Sequence, residues 1–552
     1  MRALAKRLLS DQSGAIAAVY ALALPALIAV GGIAFDYARL AAMDTELQNA
    51  ADQAALAAAS QLDGLPGTCS RASGAAVNLV TNSTLFANDG VTPGVTVTGE
   101  TACDALGKIR FWQNKEKTVA ATSDGNANFV EVTVNARTAK YALTPVVGAF
   151  NSGAIDATAF AGLGSAICRV PPLMMCNPAE VGGNLDFDIA TYKGMGMRLV
   201  SGGGSQWAPG NFGYLQTDIG NGAGALELAL GANSPPGNCL SADKVTTKPG
   251  VQTSVTDAIN TRFDIFENGL VNECAIGTGA CSPAMNTRKD AVHPEITSGN
   301  GNGNGNGNNA LNCGFDTGSD PWTLPTVRYL PDLTTRTQPT LPTNMGHPRD
   351  ICHAVSNDGD CRGTASRIGD GAWDRTMYFQ VNHPSIGANW QNNNSLTTWA
   401  TANGVTLNSI SRYDTYRWEI ATNNLADRLA YNVTTGGGGG GKGGGPGGGN
   451  TTGYYSYAAP KCTAGLPSSN TQLDRRLTAV AIVNCGQEGL NGQEKGVTVV
   501  NWVEVFLVEP SIARDRTAAG DIYVEIVRQI DVGDGIGGGG QVARRDVPYL
   551  IE

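Results

Sequence analysis

Residues Ala15–Phe35 read AIAAVYALALPALIAVGGIAF, twenty-one positions without a charged side chain. As an α-helix this run rises about 31 Å, which matches the hydrocarbon core of a bilayer. Ala15, Leu22, Leu24, Pro25, Leu27, Ile28, Ile33 and Phe35 are read as its lipid-anchoring positions. Pro25 and the Gly31-Gly32 pair would break a helix in water, but inside a membrane the freed backbone groups find local partners. Arg2, Lys6 and Arg7 precede the run, and Asp36 and Asp44 follow it. The positive-inside bias therefore predicts a cytoplasmic N-terminus and an exported remainder. A cleavable signal has an apolar core of about 7 to 15 residues ending near a small-residue site. Here the core is longer and Ala21-Leu22-Ala23 lies in its middle, so retention is expected rather than release.

Beyond Phe35 the apolar positions fall at helical spacing. Leu40, Met43, Leu47, Ala51, Ala54, Ala58 and Leu62 recur every three or four residues, with Asp44, Glu46, Gln48, Asn49, Asp52 and Gln53 between them. This is one stripe of an amphipathic helix. Gly64 and Pro66 predict its end near Asp63. A stripe this rich in alanine permits close approach, either to the protein's own globular part or to a second chain.

The chain has 552 residues, a net charge of −10, 72 glycines and 12 cysteines. An acidic balance without clustered Lys and Arg gives no purchase on a phosphate backbone, so nucleic acid is excluded as an expected partner. All the cysteines follow the first apolar run, they are even in number, and none forms a CxxC pair. That pattern predicts disulfides in an oxidising compartment rather than zinc or redox sites. The closest pairs, Cys168 with Cys176, Cys274 with Cys281, and Cys352 with Cys361, are candidates to close short loops, with the connectivity left open.

The string SDQSGAIAAVYALALPALIAVGGIAFDYARL, followed by LQNAADQAALAAAS, resembles the N-terminal region of TadG-like proteins of the Tad (tight adherence, or Flp) pilus-assembly system. The resemblance covers about residues 10 to 62. It implies a membrane-anchored, non-catalytic pilus-assembly component acting in surface attachment and biofilm formation. It also implies a bacterial inner-membrane location, and other Tad/Flp proteins or pseudopilins as partners beside the inner-membrane lipid. Pseudopilins of that system are cut after a Gly and carry a Glu a few residues later. Here Gly14 is followed by Ala15, Ile16, Ala17, Ala18 and Val19, which speaks against processing at that point. Many TadG-like proteins carry a von Willebrand factor A domain with an Asp-x-Ser-x-Ser metal loop. The nearest string, Asp11-Gln12-Ser13-Gly14-Ala15, lacks the second serine.

The predicted fold class is α+β: a long N-terminal membrane-spanning helix (a pilin-like stalk), then a mixed α/β periplasmic domain with a Cys- and Gly-rich loop insertion. The expected segments are a cytoplasmic 1–14, a transmembrane 15–35, a helical stalk 36–63, and a small α/β element 64–165. A Cys-rich, loop-rich 166–435, a flexible glycine tract 436–450 and a β-rich 453–552 follow. FVEVTVNA from Phe129 alternates like a half-buried strand. A short helix around Tyr141–Phe150, interrupted at Pro145, and a strand from Ala154 would complete a β-α-β element. The glycine–asparagine tract Gly299–Asn309 is read as a flexible loop. Strands are expected from Leu477, Val497 and Ile522, and they are read as completing the earlier sheet, with the Cys-rich region as an insertion.

Candidate chemistry is sparse. His347, Asp350, Cys352 and His353 lie close in sequence, but their spacing matches no helical metal motif, so a structured loop is expected. Asp358, Asp360, Asp370 and Asp374 are calcium-capable carboxylates in stretches that read as turns. Trp207, Phe212 and Tyr214 beside glycines offer a contact surface or, more ordinarily, buried packing. No catalytic residue, cofactor site or metal site is assigned. The alternatives to an anchored assembly factor are a secreted binding module or adhesin freed by signal cleavage, and an envelope hydrolase.

Overall fold

The computed structural model describes residues 15–62, 66–78, 80–148, 150–168, 172–201, 210–216, 219–220, 222–236, 239–241, 243–248, 253–294, 313–317, 321–362, 366–425, 429–434, 451–467, 474–516, 520–530 and 543–551. The basic residues before the apolar run, the helix stop at Gly64, Trp207 and both glycine-rich tracts lie outside the described residues, as do the side chains of Ala15 and Cys168. The chain divides into two compact units, Met1–Gly164 with Asp546–Glu552, and Ser165–Arg545.

In the first unit, helix α1 runs unbroken over Ala15–Ala59. Its 45 residues give a length of about 67 Å. The only proline, Pro25, lies in the apolar half. Helix α2, Thr68–Asn78, follows; the Asp124 carboxylate accepts the amides of Gly67 at 2.8 Å and Cys69 at 3.0 Å, groups that a helix start leaves without partners. Strands β1 (Ile109–Trp112), β2 (Phe129–Thr133) and β3 (Thr158–Cys168) pair antiparallel, and the strand Ala543–Leu550 lies beside β3. Alternation sets Val130, Val132 and Val134 on one face with Ile109, Phe111, Ala159 and Ala161. That face covers Met43, Leu47, Ala50, Ala51, Ala54 and Ala58 of α1 in a single apolar cluster. The alanine stripe thus docks on the protein's own sheet, and the small side chains let helix and strands approach closely.

Two expectations for this unit need correction. β2 and β3 are antiparallel, so the element is not a β-α-β crossover. The segment read as a short helix holds only a 3-10 turn, Thr144–Val147, ended by Gly148 at φ 91°. Pro145 has no amide to continue a helical ladder, and the left-handed glycine reverses the chain.

In the second unit, strands β4 (Leu173–Cys176), β5 (Gly196–Ser201), β6 (Asn211–Leu215), β7 (Leu477–Val483), β8 (Val497–Leu507) and β9 (Ile522–Gln529) pair in the order β7-β4-β6-β5-β9-β8, and β8 pairs back with β7. Six strands therefore close a ring. The β4–β7 and β5–β6 pairs are parallel, the others antiparallel. Closure removes the unpaired edges that an open sheet would expose. Alternate residues from every strand of the ring, among them Met175, Leu199, Phe212, Ile482, Val505 and Val524, join one apolar cluster. Helices α3 (Ala223–Gly231) and α4 (Thr253–Asn260) extend it through Leu226, Leu230, Val255 and Ile259.

The expected completion of the first sheet is corrected here. β7, β8 and β9 pair with β4, β5 and β6, which come from the region read as loop-rich; of the described strands after residue 476, Ala543–Leu550 alone joins β3, with which Cys239–Ser241 also pairs. β4 (LMMC) and β6 (NFGYL) are buried at every position, so they carry no polar alternation to betray a strand.

Three further helices, α5 (Arg375–Asn382), α6 (Asn394–Ala402) and α7 (Arg412–Ala421), start at Asp374, Asn393 and Ser411, whose side chains accept a first-turn amide each. Trp373, Tyr378, Phe379, Trp390 and Trp418 pack between them. At the first turn of α7, Arg412 is fully buried; its guanidinium meets Asp350, lies 2.9 Å from the Glu525 carboxylate on β9, and donates to the Pro348 carbonyl at 2.6 Å.

Disulfides join Cys69–Cys103 in the first unit, and Cys176–Cys485, Cys274–Cys281, Cys313–Cys462 and Cys352–Cys361 in the second. Cys176 does not close a short loop with Cys168. It ends β4, where Val483 of the parallel neighbour β7 lies opposite, and Cys485 follows two residues later at the same end of the ring. The class is α+β, a long apolar N-terminal helix followed by mixed helix and strand with many disulfides.

Candidate functional site

Burial divides α1 at Gly32. Leu22, Leu24, Leu27 and Ile28 are all more than half exposed, a pattern that costs free energy in water and none in lipid. From Gly32 onward one face is buried at 32, 36, 43, 47, 50 and 51, continuing to Leu62. One continuous helix thus carries an apolar half whose described side chains are largely exposed and a half docked on its own sheet.

The junction is built by two residues. A Cβ on Gly32 would lie 2.9 Å from the Leu143 Cβ, so only glycine allows the 141–150 loop to meet the helix there. One turn later, the buried Asp36 carboxylate accepts the amides of Ala142 at 2.9 Å, Leu143 at 2.9 Å and Thr144 at 2.7 Å, and the Thr144 hydroxyl at 2.7 Å. Burial alone would push this carboxyl up; the four hydrogen bonds outweigh it and hold it well below the usual carboxylate range. Arg39 lies 3.9 Å from Asp36 and donates to the Phe86 carbonyl. Glu46, two turns on, accepts the amides of Leu85 and Phe86. Carboxylates on α1 thus tie two loops to the helix above the apolar half.

Sequence reading took Asp36 only as a charge past the span and Gly32 only as half of a glycine pair tolerated inside it. The signal was a carboxylate one turn after a glycine at the end of an apolar run, which is too general to assign without the loop it binds. Because the folded Asp36 titrates below its ordinary 3.8, its contribution to stability is complete above that value and fades as pH falls below it. Asp36→Asn retains the shape but not the two acceptor oxygens. Amide exchange at Ala142, Leu143 and Thr144 is expected to accelerate on the order of tenfold at neutral pH. The parent should approach the variant only in acid. Equal exchange in the two proteins at neutral pH would show that the clamp is not made.

The other singled-out residues take structural roles. His347 is buried against Glu419, and His353 lies 2.8 Å from the Tyr523 hydroxyl. Asp350 meets Arg412, and Cys352 is in a disulfide, so the four do not converge. Among the described residues, each His/Cys/Asp grouping close enough to hold a metal contains a disulfide pair, whose sulfurs are not thiolates. Asp358 accepts from Ser356 and from the amide of Asp360, Asp360 pairs with Arg198 at 3.1 Å, Asp370 accepts the amide of Ala372, and Asp374 caps α5. Phe212 and Tyr214 are buried on β6 and offer no contact surface.

The site is therefore a single helix, long and apolar enough to cross a membrane, fixed by its second half to a small sheet. Residues 14–61 match the family model described as putative Flp pilus-assembly TadE/G-like, and that stretch contains the whole of α1. No curated protein and no solved structure matches the chain.

Proposed function

We propose that this chain is a non-catalytic, inner-membrane-anchored component of a Tad/Flp pilus-assembly machinery, acting in tight adherence, surface attachment and biofilm formation. The observation that carries the reading is the coincidence of the matched segment with α1, whose first half is exposed and apolar and whose second half is clamped to the sheet. The N-terminus is on the cytoplasmic side, consistent with Arg2, Lys6 and Arg7 before the span and Asp36 and Asp44 after it. The disulfides favour an oxidising compartment for both units. Its partners are inner-membrane lipid and other pilus-assembly proteins or pseudopilins, met through the surfaces of the two units.

Replacing Leu22 and Leu27 together by arginine adds about 6–8 kcal/mol to the cost of inserting the span. The expected result is loss of the protein from the carbonate-washed membrane pellet, with surface attachment lost alongside. Retention of the double variant in the pellet would overturn the assigned span. An N-terminus beyond Phe35 on protein from the soluble fraction would replace the anchor by a released binding module.

A further inference from the structure

The loop 141–150, YALTPVVGAF, contains no charged residue, and it is held where the apolar half of α1 ends. Leu143 packs on Gly32, three residues inside the Ala15–Phe35 run, and at 1.5 Å per residue that contact lies about 6 Å deeper than Asp36. Leu143 nonetheless keeps 45% of its surface exposed. At the loop base the Tyr141 amide donates to the Phe150 carbonyl at 3.0 Å, and Phe150 is 67% exposed. Tyr37 on the helix is 71% exposed close by in sequence, and Lys140 is exposed at the foot of the loop.

An uncharged loop with outward Leu and Phe side chains, flanked by Tyr and Lys, has the composition of a segment seated at the boundary between headgroups and acyl chains. Leu143 and Phe150 add to the exposed apolar surface of α1 that the loop adjoins at Gly32, and an apolar surface of that kind marks a membrane or partner contact. Asp36 supplies the mechanism: it satisfies the amides of Ala142, Leu143 and Thr144, which could not be left without partners in lipid. We infer that this loop is a second membrane-contacting element, resting in the bilayer interface beside α1 and fixing how deep and at what tilt the helix sits. The inference rests on the anchor reading above, and its occupant is lipid because the loop is continuous with the lipid-facing surface of the helix.

The test is photocrosslinking of the full-length protein in native membranes, with p-benzoylphenylalanine placed singly at Leu27, Leu143, Phe150 and Leu106. Leu106 is 71% exposed and follows Cys103, whose disulfide to Cys69 ties it to α2. Lipid adducts at 143 and 150 are expected within about threefold of those at 27 and at least about tenfold above those at 106. Two loop positions guard against one variant that misfolds, and each variant must run oxidised as the parent does. Adducts at 27 with none, or protein adducts only, at both 143 and 150 would overturn the inference and leave the anchor standing. Absence of lipid adducts at 27 would overturn both.

Discussion

Arg412→Met is expected to destabilise the second unit by about 3–5 kcal/mol. Arg412 is fully buried between Asp350 and Glu525, and it joins the start of α7 to the turn before residue 351 and to strand β9. Burial alone would lower its pKa and raise that of Asp350. Their mutual attraction outweighs burial in both, so the arginine is held above its ordinary value and Asp350 below its own. Methionine preserves the volume but leaves two carboxylates without their cation, and an isolated buried charge is far more costly than a lost hydrogen bond. Neutralising all three positions would not restore stability. Asp350 also accepts the amides of Gly196 and Gly371, and Glu525 those of Arg412 and Tyr413, so apolar replacements would orphan four donors. Urea unfolding of the detergent-solubilised chain measures the effect. A Met variant within about 1 kcal/mol of the parent would mean that water reaches the cluster and screens it.

Removing the Cys176–Cys485 bond by paired alanines should cost about 3–5 kcal/mol, and the argument can be checked by comparison within the protein. The bond links residues 309 apart in sequence, whereas Cys274–Cys281 links residues 7 apart. In the chain-entropy account a longer bridged loop restrains the unfolded state more, and the short bridge is worth about 2 kcal/mol. Cys313–Cys462 already shortens the free path within the long loop to roughly half, which lowers the larger effect by only about 0.6 kcal/mol. The alanine pair at 176 and 485 should therefore unfold at lower denaturant than the pair at 274 and 281. The reverse order would show that local packing, rather than loop closure, governs the disulfides.

The helix was legible because a charge-free run of membrane length and an alanine stripe at spacings of three and four each admit one reading. β7, β8 and β9 were legible as strands from their density of Val and Ile. Their partners were not: β4 and β6 are short and buried on both faces, which leaves no hydrophobic-in, polar-out pattern to find. The Cys176–Cys485 link was beyond sequence for the same reason, since it follows from which strands become neighbours. Where the apolar half of α1 ends, the residues were visible but their meaning was not. Asp36 looks like any carboxylate after a span until the amides of 142–144, more than a hundred positions away, are brought to it.

The strand Ala543–Leu550 completes a sheet begun by residues 109–168, and the entire second unit is encoded between them. A chain synthesised from its N-terminus makes α1 and β1 to β3 early, yet their sheet must wait, with one edge open, until the inserted unit has been synthesised. Such an open edge is a template for pairing with another polypeptide. During biogenesis the first unit is thus a half-finished surface, available to a chaperone or a sister chain for as long as translation of the insert lasts, and sealed only when the returning strand arrives.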